Sequence, residues 1–363
     1  MGAKKTGISR ELLIHPGETI ADVLEQRGIS QAELAVRTGV SAAYVSNVIA
    51  GKKGISAKFA LALEYALGVS KSFWINLQAN YDVELLEVDE RNTISDEEKK
   101  ARKSLKDIVG YLQELGRLSS LEKTNESILS LRRFLQISNL ANLKDVVPGA
   151  VFQLYKKGET DAYALGAWIR MCQVLGEENY VETRFELSKL DMLVHELKGV
   201  MLDKGADVQE ELQRIFADYG IDFYIVRSFP GVPVLGYVSV KQDDTYLLVL
   251  TIRNAYADAF WMSLFHELGH IVNGDVSKNA GYIDSGEDER KEAAADAFAR
   301  DMLISKHDYR VFVEQQSFDI ETIRRFASTQ YVMPYIVVKR LQEDQKLEQD
   351  SFDGDRPIYD WSK

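Results

Sequence analysis

Residues 260–271 read FWMSLFHELGHI and hold His266, Glu267 and His270 in the spacing H-E-x-x-H. The apolar setting of Phe260, Trp261, Leu264, Phe265, Leu268 and Ile271 predicts a core helix with one functional face. On a helix, positions i and i+4 sit one above the other. Two imidazoles at that spacing can close on one metal ion, and the carboxylate of Glu267 can reach a water at that ion. The same letters also suit an ordinary buried helix with two structural histidines. A third ligand would separate the two readings.

A catalytic zinc takes three protein ligands and keeps one position open. Downstream of His270 lie Asp275, Asp284, Glu287, Asp288, Glu289, Glu292 and Asp296. A glycine-bearing loop is expected over 273–287, then a helix over 288–303. Within KEAAADAFA, the small neighbours Ala293, Ala294, Ala295 and Ala297 let that helix approach the first closely, which favours Glu292 as the ligand. Asp296, one turn on, can accept an N–H from a ligating histidine and fix its ring. Upstream, 222–226, 236–240 and 246–252 are rich in β-branched and aromatic residues and read as strands of a small sheet. The strand at 236–240 is expected to accept a substrate segment as an added strand.

The N-terminal stretch has a different pattern. Pro16-Gly17-Glu18 opens a helix with Ile20, Val23 and Leu24 inward, and Gly28 ends it. Ser30 with Glu33 makes a capping box for a second helix over 31–38. Gly39-Val40-Ser41 turns the chain, and Ser41 caps a third helix over 42–50, with Val45, Val48 and Ile49 inward. Two short helices joined by a tight glycine turn form a helix-turn-helix. The outward residues Ala42, Ala43, Tyr44, Ser46 and Asn47 are small or hydrogen-bonding and none is acidic, as a major-groove helix requires. Gln31, Ser41, Lys52 and Lys53 complete the expected DNA-binding set. Residues 1–60 carry eight Lys/Arg against five acids, a net +3, on a chain of net −12. With so little local charge, a dimer reading two half-sites is expected.

Between these ends, helices are expected around 105–115, 128–134, 150–155, 162–174 and 185–197, with a polar hinge at 92–103 and a break at Pro148-Gly149. No chemistry stands out there. His195-Glu196-Leu197 repeats letters of the later motif, but Gly199 stands where a second histidine would be needed. The single cysteine, Cys172, excludes an internal disulfide framework and fits core packing. No apolar run approaches the ~18 residues of a membrane span, and the opening residues lack the apolar core of a signal peptide. Beyond about residue 310, helices and an acidic tail are expected.

Two resemblances follow from these stretches. SQAELAVRTGVSAAYVSNVIAGKKGIS, with HPGETI before it and SFWINLQANYD after it, resembles the phage-repressor-type helix-turn-helix and more closely the HigA-type antitoxins. That resemblance covers 15–82 and implies dimerisation on a palindromic operator, self-repression and a cognate toxin. The strand block, FWMSLFHELGHI and EAAADAFARDMLI resemble the ImmA/IrrE metallopeptidases over about 186–305. That resemblance implies Zn2+ on His266, His270 and Glu292, with Glu267 as general base. The chain departs from the family pattern at Ala294-Ala295, where a further Glu is usual, and at Ser305, where Pro is usual.

The expected fold class is mainly α with a C-terminal α+β domain. A helix-turn-helix domain is expected over 1–85 and a helical linker or dimerisation region over 86–185. A zincin-like domain, a small sheet plus the HExxH helix, is expected over 186–363. The expected function is that of a bacterial cytoplasmic DNA-binding regulator or antitoxin carrying a zinc-dependent peptidase. It would act as a homodimer with operator DNA, a cognate toxin and a peptide or protein substrate as partners, and no membrane. The alternative is a non-catalytic antitoxin and autorepressor whose zincin domain binds the toxin or senses zinc.

Overall fold

The computed structural model describes residues 12–120, 123–146, 160–203, 205, 207–252, 256–276, 282–283, 288–352 and 357–359. The expected break at Pro148-Gly149, the helix at 150–155 and the candidate acids Asp284 and Glu287 lie outside the described residues. The chain divides into two compact units, Met1–Asp96 and Glu97–Lys363.

The first unit holds α1 (Pro16–Arg27), α2 (Gln31–Thr38), α3 (Ala42–Ile49), α4 (Ala57–Leu67) and α5 (Lys71–Asn92). The local signals explain these boundaries. His15 caps α1 through Nδ1, which accepts Gly17 N–H at 2.9 Å. Gly28 and Gly39 take the left-handed conformation at the ends of α1 and α2, with φ of 63° and 69°. The Ser30 hydroxyl accepts Glu33 N–H at 3.1 Å. The Glu33 carboxylate instead meets Arg37 one turn on, so the capping box is completed on one side. The core is built from Ile20, Leu34, Val45, Val48, Phe59, Leu63 and Trp74.

The second unit is mostly helical around one small sheet. Its elements are α6 (Asp96–Ser104), α7 (Lys106–Glu114), α8 (Thr124–Phe134), α9 (Ala162–Glu178), α10 (Leu190–Leu202), α11 (Val208–Asp218), β1 (Ile221–Arg227), β2 (Gly236–Val240), β3 (Tyr246–Ile252), α12 (Ala257–Val272), β4 (Tyr282–Ile283), α13 (Glu289–Leu303), α14 (Lys306–Glu314), α15 (Ile320–Thr329) and α16 (Pro334–Glu343). The strand order is β1-β3-β2-β4, with β1 and β3 parallel and the other pairings antiparallel.

Strand alternation gives the sheet two covered faces. Phe223, Val238, Leu248 and Leu250 pack with Phe260, Trp261, Leu264, Phe265 and Leu268 of α12 in the main core. On the other face, Tyr237 meets Trp168 edge-on at 6.1 Å, and its hydroxyl accepts from Gln173 at 3.2 Å. Tyr224 donates to the Leu175 carbonyl at 2.9 Å. Thus α9, expected in a linker region, covers the sheet. Cys172 sits in that buried helix, and burial pushes its thiol well above the usual range.

Two features depart from expectation. The polar hinge contains a buried ion pair: Glu98 accepts Arg132 Nε at 2.9 Å, Arg132 Nη2 at 2.6 Å and Leu140 N at 3.0 Å, and is 1% exposed. The C-terminal segment, expected as a plain tail, docks on α12. Ala257 N–H donates to the Pro357 carbonyl at 2.9 Å, and Trp261 Nε1 donates to Tyr359 Oη at 2.8 Å. The first of these bonds serves a helix start that has no side-chain cap. Among the described residues, no helix is long and apolar enough to cross a membrane.

Candidate metal centre and nucleic-acid interface

Helix α12 buries His266, Glu267 and His270, at 8%, 1% and 0% exposure. Helix α13 lies against it because Gly269 has no side chain and Ala295 a small one at the crossing. A Cβ on Gly269 would stand 3.1 Å from Ala295 Cα and 3.1 Å from Phe298 Cδ1. Ala295 and Ala299 are the alanines that face inward, whereas Ala293, Ala294 and Ala297 are exposed. This close approach carries Glu292 to the two histidines.

The Nε2 atoms of His266 and His270 are 3.1 Å apart. Glu292 Oε2 is 3.2 Å from His266 Nε2, and Glu292 Oε1 is 3.8 Å from His270 Nε2. Ligands bonded at ~2.0–2.1 Å in a tetrahedron are about 3.3 Å apart, so the His266–His270 and His266–Glu292 Oε2 edges fit such a site, while the carboxylate lies farther from His270. Among the described residues, His266, His270 and Glu292 form the cluster able to hold a metal ion. The donor set also fits chemically. His266 Nδ1 meets Asp296 Oδ1 at 2.7 Å, and His270 Nδ1 meets Asp275 Oδ2 at 2.9 Å. A proton held at each Nδ1 leaves the Nε2 lone pairs facing each other, an arrangement that a shared cation relieves.

Burial and hydrogen bonding both act on the titration of these groups. Burial lowers the pKa of His270 from the ordinary histidine value, against the opposing hydrogen bond to Asp275. Burial would raise Glu292, but its hydrogen bonds to His266 and Tyr282 and the nearby imidazoles bring it down to about 2. Glu267 lies against β2: a Cβ on Gly236 would stand 2.6 Å from Glu267 Cγ and nearer still to its carboxylate. Glycine at 236 therefore leaves the carboxylate its place.

Sequence reasoning placed Asp275 only in a pool of candidate ligands and passed over Tyr282. The hydroxyl of Tyr282 donates to Glu292 Oε1, and its ring lies 4.1 Å from that of His270. The expectation for β2 as a free edge needs correction. β4 pairs with it at Tyr237↔Ile283 and Val238↔Tyr282, so part of the edge meant for a substrate strand is taken by the chain itself.

In the first unit, α3 presents Ala42, Ala43 and Ser46 to solvent, with Ser41 and Gln31 exposed at the starts of α3 and α2. Lys52 and Lys53 are exposed just beyond α3, and their N–H groups donate to the Asn47 carbonyl at 2.8 and 3.2 Å. Tyr44 and Asn47 are only half exposed. Tyr44 packs edge-on against Phe59 at 5.1 Å with Lys53 Nζ 5.4 Å over its ring, so it buttresses the helix more than it projects from it.

The fold and this exposed helix define a helix-turn-helix protein, and residues 20–74 match the helix-turn-helix family. The chain is 44% identical over 70 residues to virulence-associated protein A' of Dichelobacter nodosus, 19% of this chain and 61% of that protein. It thus spans about three-fifths of that relative's length. It is 32% identical over 80 residues to virulence-associated protein I of the same organism, 22% of this chain and 74% of that protein. On that match, the chain belongs to the family of virulence-associated protein I. It is also similar to the antitoxin HigA of Pseudomonas aeruginosa, solved with the higBA promoter: 40% identity, 20% of this chain and 78% of that chain, TM-score 0.19. A HigA-family addiction module antidote protein from Coxiella burnetii shares 26% identity over 28% of this chain and 92% of its own, TM-score 0.19.

Proposed function

We propose that this chain is a DNA-binding regulator of the antitoxin type whose second unit is a zinc-dependent peptidase of the ImmA/IrrE kind. The observation that carries the peptidase half is the convergence of His266 Nε2, His270 Nε2 and a Glu292 oxygen, with a carboxylate on each histidine's far nitrogen. Zinc held there supplies a Lewis acid for a substrate carbonyl and makes water more acidic. Glu267 takes a proton from the attacking water at its carboxylate and passes it to the leaving amine. Asp296 holds the His266 ring by its Nδ1–H. The small, non-acidic outer face of α3, flanked by Lys52 and Lys53, supports the DNA half. It would read the major groove of a palindromic operator as a homodimer. The helix-turn-helix match and the family relation support the same assignment, and a cognate toxin is the protein partner.

The second reading, a non-catalytic antitoxin that uses this unit to bind its toxin, is favoured by β4, which occupies part of the β2 edge. Affinity purification from the native host with the wild type and Glu267→Gln separates the two. Proteins that accumulate only on the variant are trapped substrates, and proteins held by both are toxin-like partners. A variant that traps nothing, beside a wild type that cleaves none of the captured proteins, would remove the peptidase reading.

A further inference from the structure

Two side chains outside the ligand set hold the candidate metal centre from the segment that joins its two helices. Asp275, three residues past the end of α12, places Oδ2 at 2.9 Å from His270 Nδ1, with a side chain 10% exposed. Tyr282, on β4, donates its hydroxyl to Glu292 Oε1 and lays its ring against His270. Lys291 links the two: its Nζ is 3.5 Å from the Asp275 carbonyl and 5.3 Å over the Tyr282 ring. With Asp296 on His266, each of the three candidate ligands then has a partner outside the ligand set.

We propose that Asp275 and Tyr282 are positioning residues that set the metal affinity of the site. This inference rests on the zinc-binding reading above. Asp275 fixes which nitrogen of His270 carries the proton and the rotation of its ring. Tyr282 engages one oxygen of Glu292, so the carboxylate presents the other, 3.2 Å from His266 Nε2, as a single donor. A carboxylate held in this way leaves room for a fourth, non-protein position. The pairing of β4 with β2 places the Tyr282 backbone, so metal affinity is tied to the docking of that strand.

The test uses the full chain, with zinc affinity measured by competition against a chromophoric chelator. The variants are Asp275→Ala, Asp275→Asn and Tyr282→Phe. Partners that orient metal ligands typically contribute about 10–100-fold in affinity. The expected result is a loss of that size for Asp275→Ala. Asp275→Asn, which keeps an acceptor oxygen for the Nδ1–H, should lose less. Tyr282→Phe should weaken binding and also change the visible absorption of the cobalt-substituted protein, because Glu292 is freed to present both oxygens. Melting of the metal-free protein should fall only slightly, by much less than the loss in zinc affinity. Affinities within threefold of wild type would overturn the inference. So would a fall in metal-free stability that accounts for the whole loss, since that marks a structural role. If the wild type itself binds no zinc, the reading beneath the inference fails and the inference goes with it. Zinc binding with indifferent variants fails the inference alone.

Discussion

Gly17→Ala should destabilise the first unit, although alanine is the better helix former. Gly17 is buried in the first turn of α1, where that helix crosses the end of α3. An ideal Cβ there would lie 2.8 Å from Ile49 Cα and 2.9 Å from Ile49 O, and nearer still to the Val48 carbonyl oxygen. All three atoms are backbone, so no rotamer change relieves the clash. Ordinary contact begins at 3.4 Å, so relieving the contact with the Val48 carbonyl takes a separation of more than an ångström. The Val48 carbonyl also accepts Gly51 N–H at 3.1 Å, so the turn that presents Lys52 moves with it. Helix propensity favours alanine by about 0.8–1 kcal/mol. Overpacking costs about 1–3 kcal/mol, with rigid neighbours at the high end. The clash wins by roughly 1–2 kcal/mol, which lowers the melting temperature of a unit this size by about 5–15 °C. Differential scanning calorimetry of the full chain reads this as a shift of one transition. Gly110→Ala in α7 and Gly199→Ala in α10 are the controls of opposite sign: a Cβ at either meets nothing within 4 Å, so each should stabilise by up to about 1 kcal/mol. A Gly17→Ala protein as stable as wild type would refute the packing argument.

Arg132→Leu should cost about 3–5 kcal/mol in chemical denaturation by stranding the buried Glu98 carboxylate, and Glu98→Leu on top of it should recover most of that loss; equal losses in the single and double variants would contradict this. The metal-free protein should lose stability as pH falls below about 6.5, the ordinary histidine value. Because His270 is lowered in the folded state, the unfolded chain binds the proton first, so stability rises with pH in this window. The Glu292 contribution is present above its ordinary value of 4.5 and is lost as pH falls towards about 2. Urea titrations at several pH values check both, and His270→Asn should flatten the upper part of the curve. Lys52→Ala with Lys53→Ala should make the log–log dependence of operator binding on salt shallower by about 1.8 per protomer, two contacts' worth; an unchanged slope would remove these lysines from the interface.

The legible parts of this protein are those where local chemistry dictates structure. Ser30, Ser41, Gly28 and Gly39 mark helix ends by caps and left-handed turns that need no distant partner. The H-E-x-x-H spacing places two imidazoles on one helix face wherever that helix lies. Strand positions at 236–240 and 246–252 coincide with β2 and β3 because short runs rich in β-branched and aromatic residues suit strands covered on both faces. The less legible parts depend on a second element. Asp275 is an undistinguished loop acid until the chain folds it back onto His270. Tyr282 lies in a stretch that reads as loop and becomes a strand only by pairing with Val238. Glu98 sits among NTISDEEKKARK, which looks fully solvated, and its burial is set by Arg132, 34 residues on.

By itself, then, the sequence determined the helix-turn-helix and the placing of two histidines on one helix face, because periodicity and capping are short-range. Tertiary structure decided which acid serves which histidine, that α9 closes the sheet, and that β4 lies on the edge of β2. Most of those outcomes depend on packing between segments tens of residues apart, as with Asp296 on His266, and Asp275 reaches His270 through a loop turn that no periodicity records. Gly269 against Ala295 is the clearest case: the missing side chain can be read from the letters, but the close approach that brings Glu292 to His266 exists only once the two helices meet.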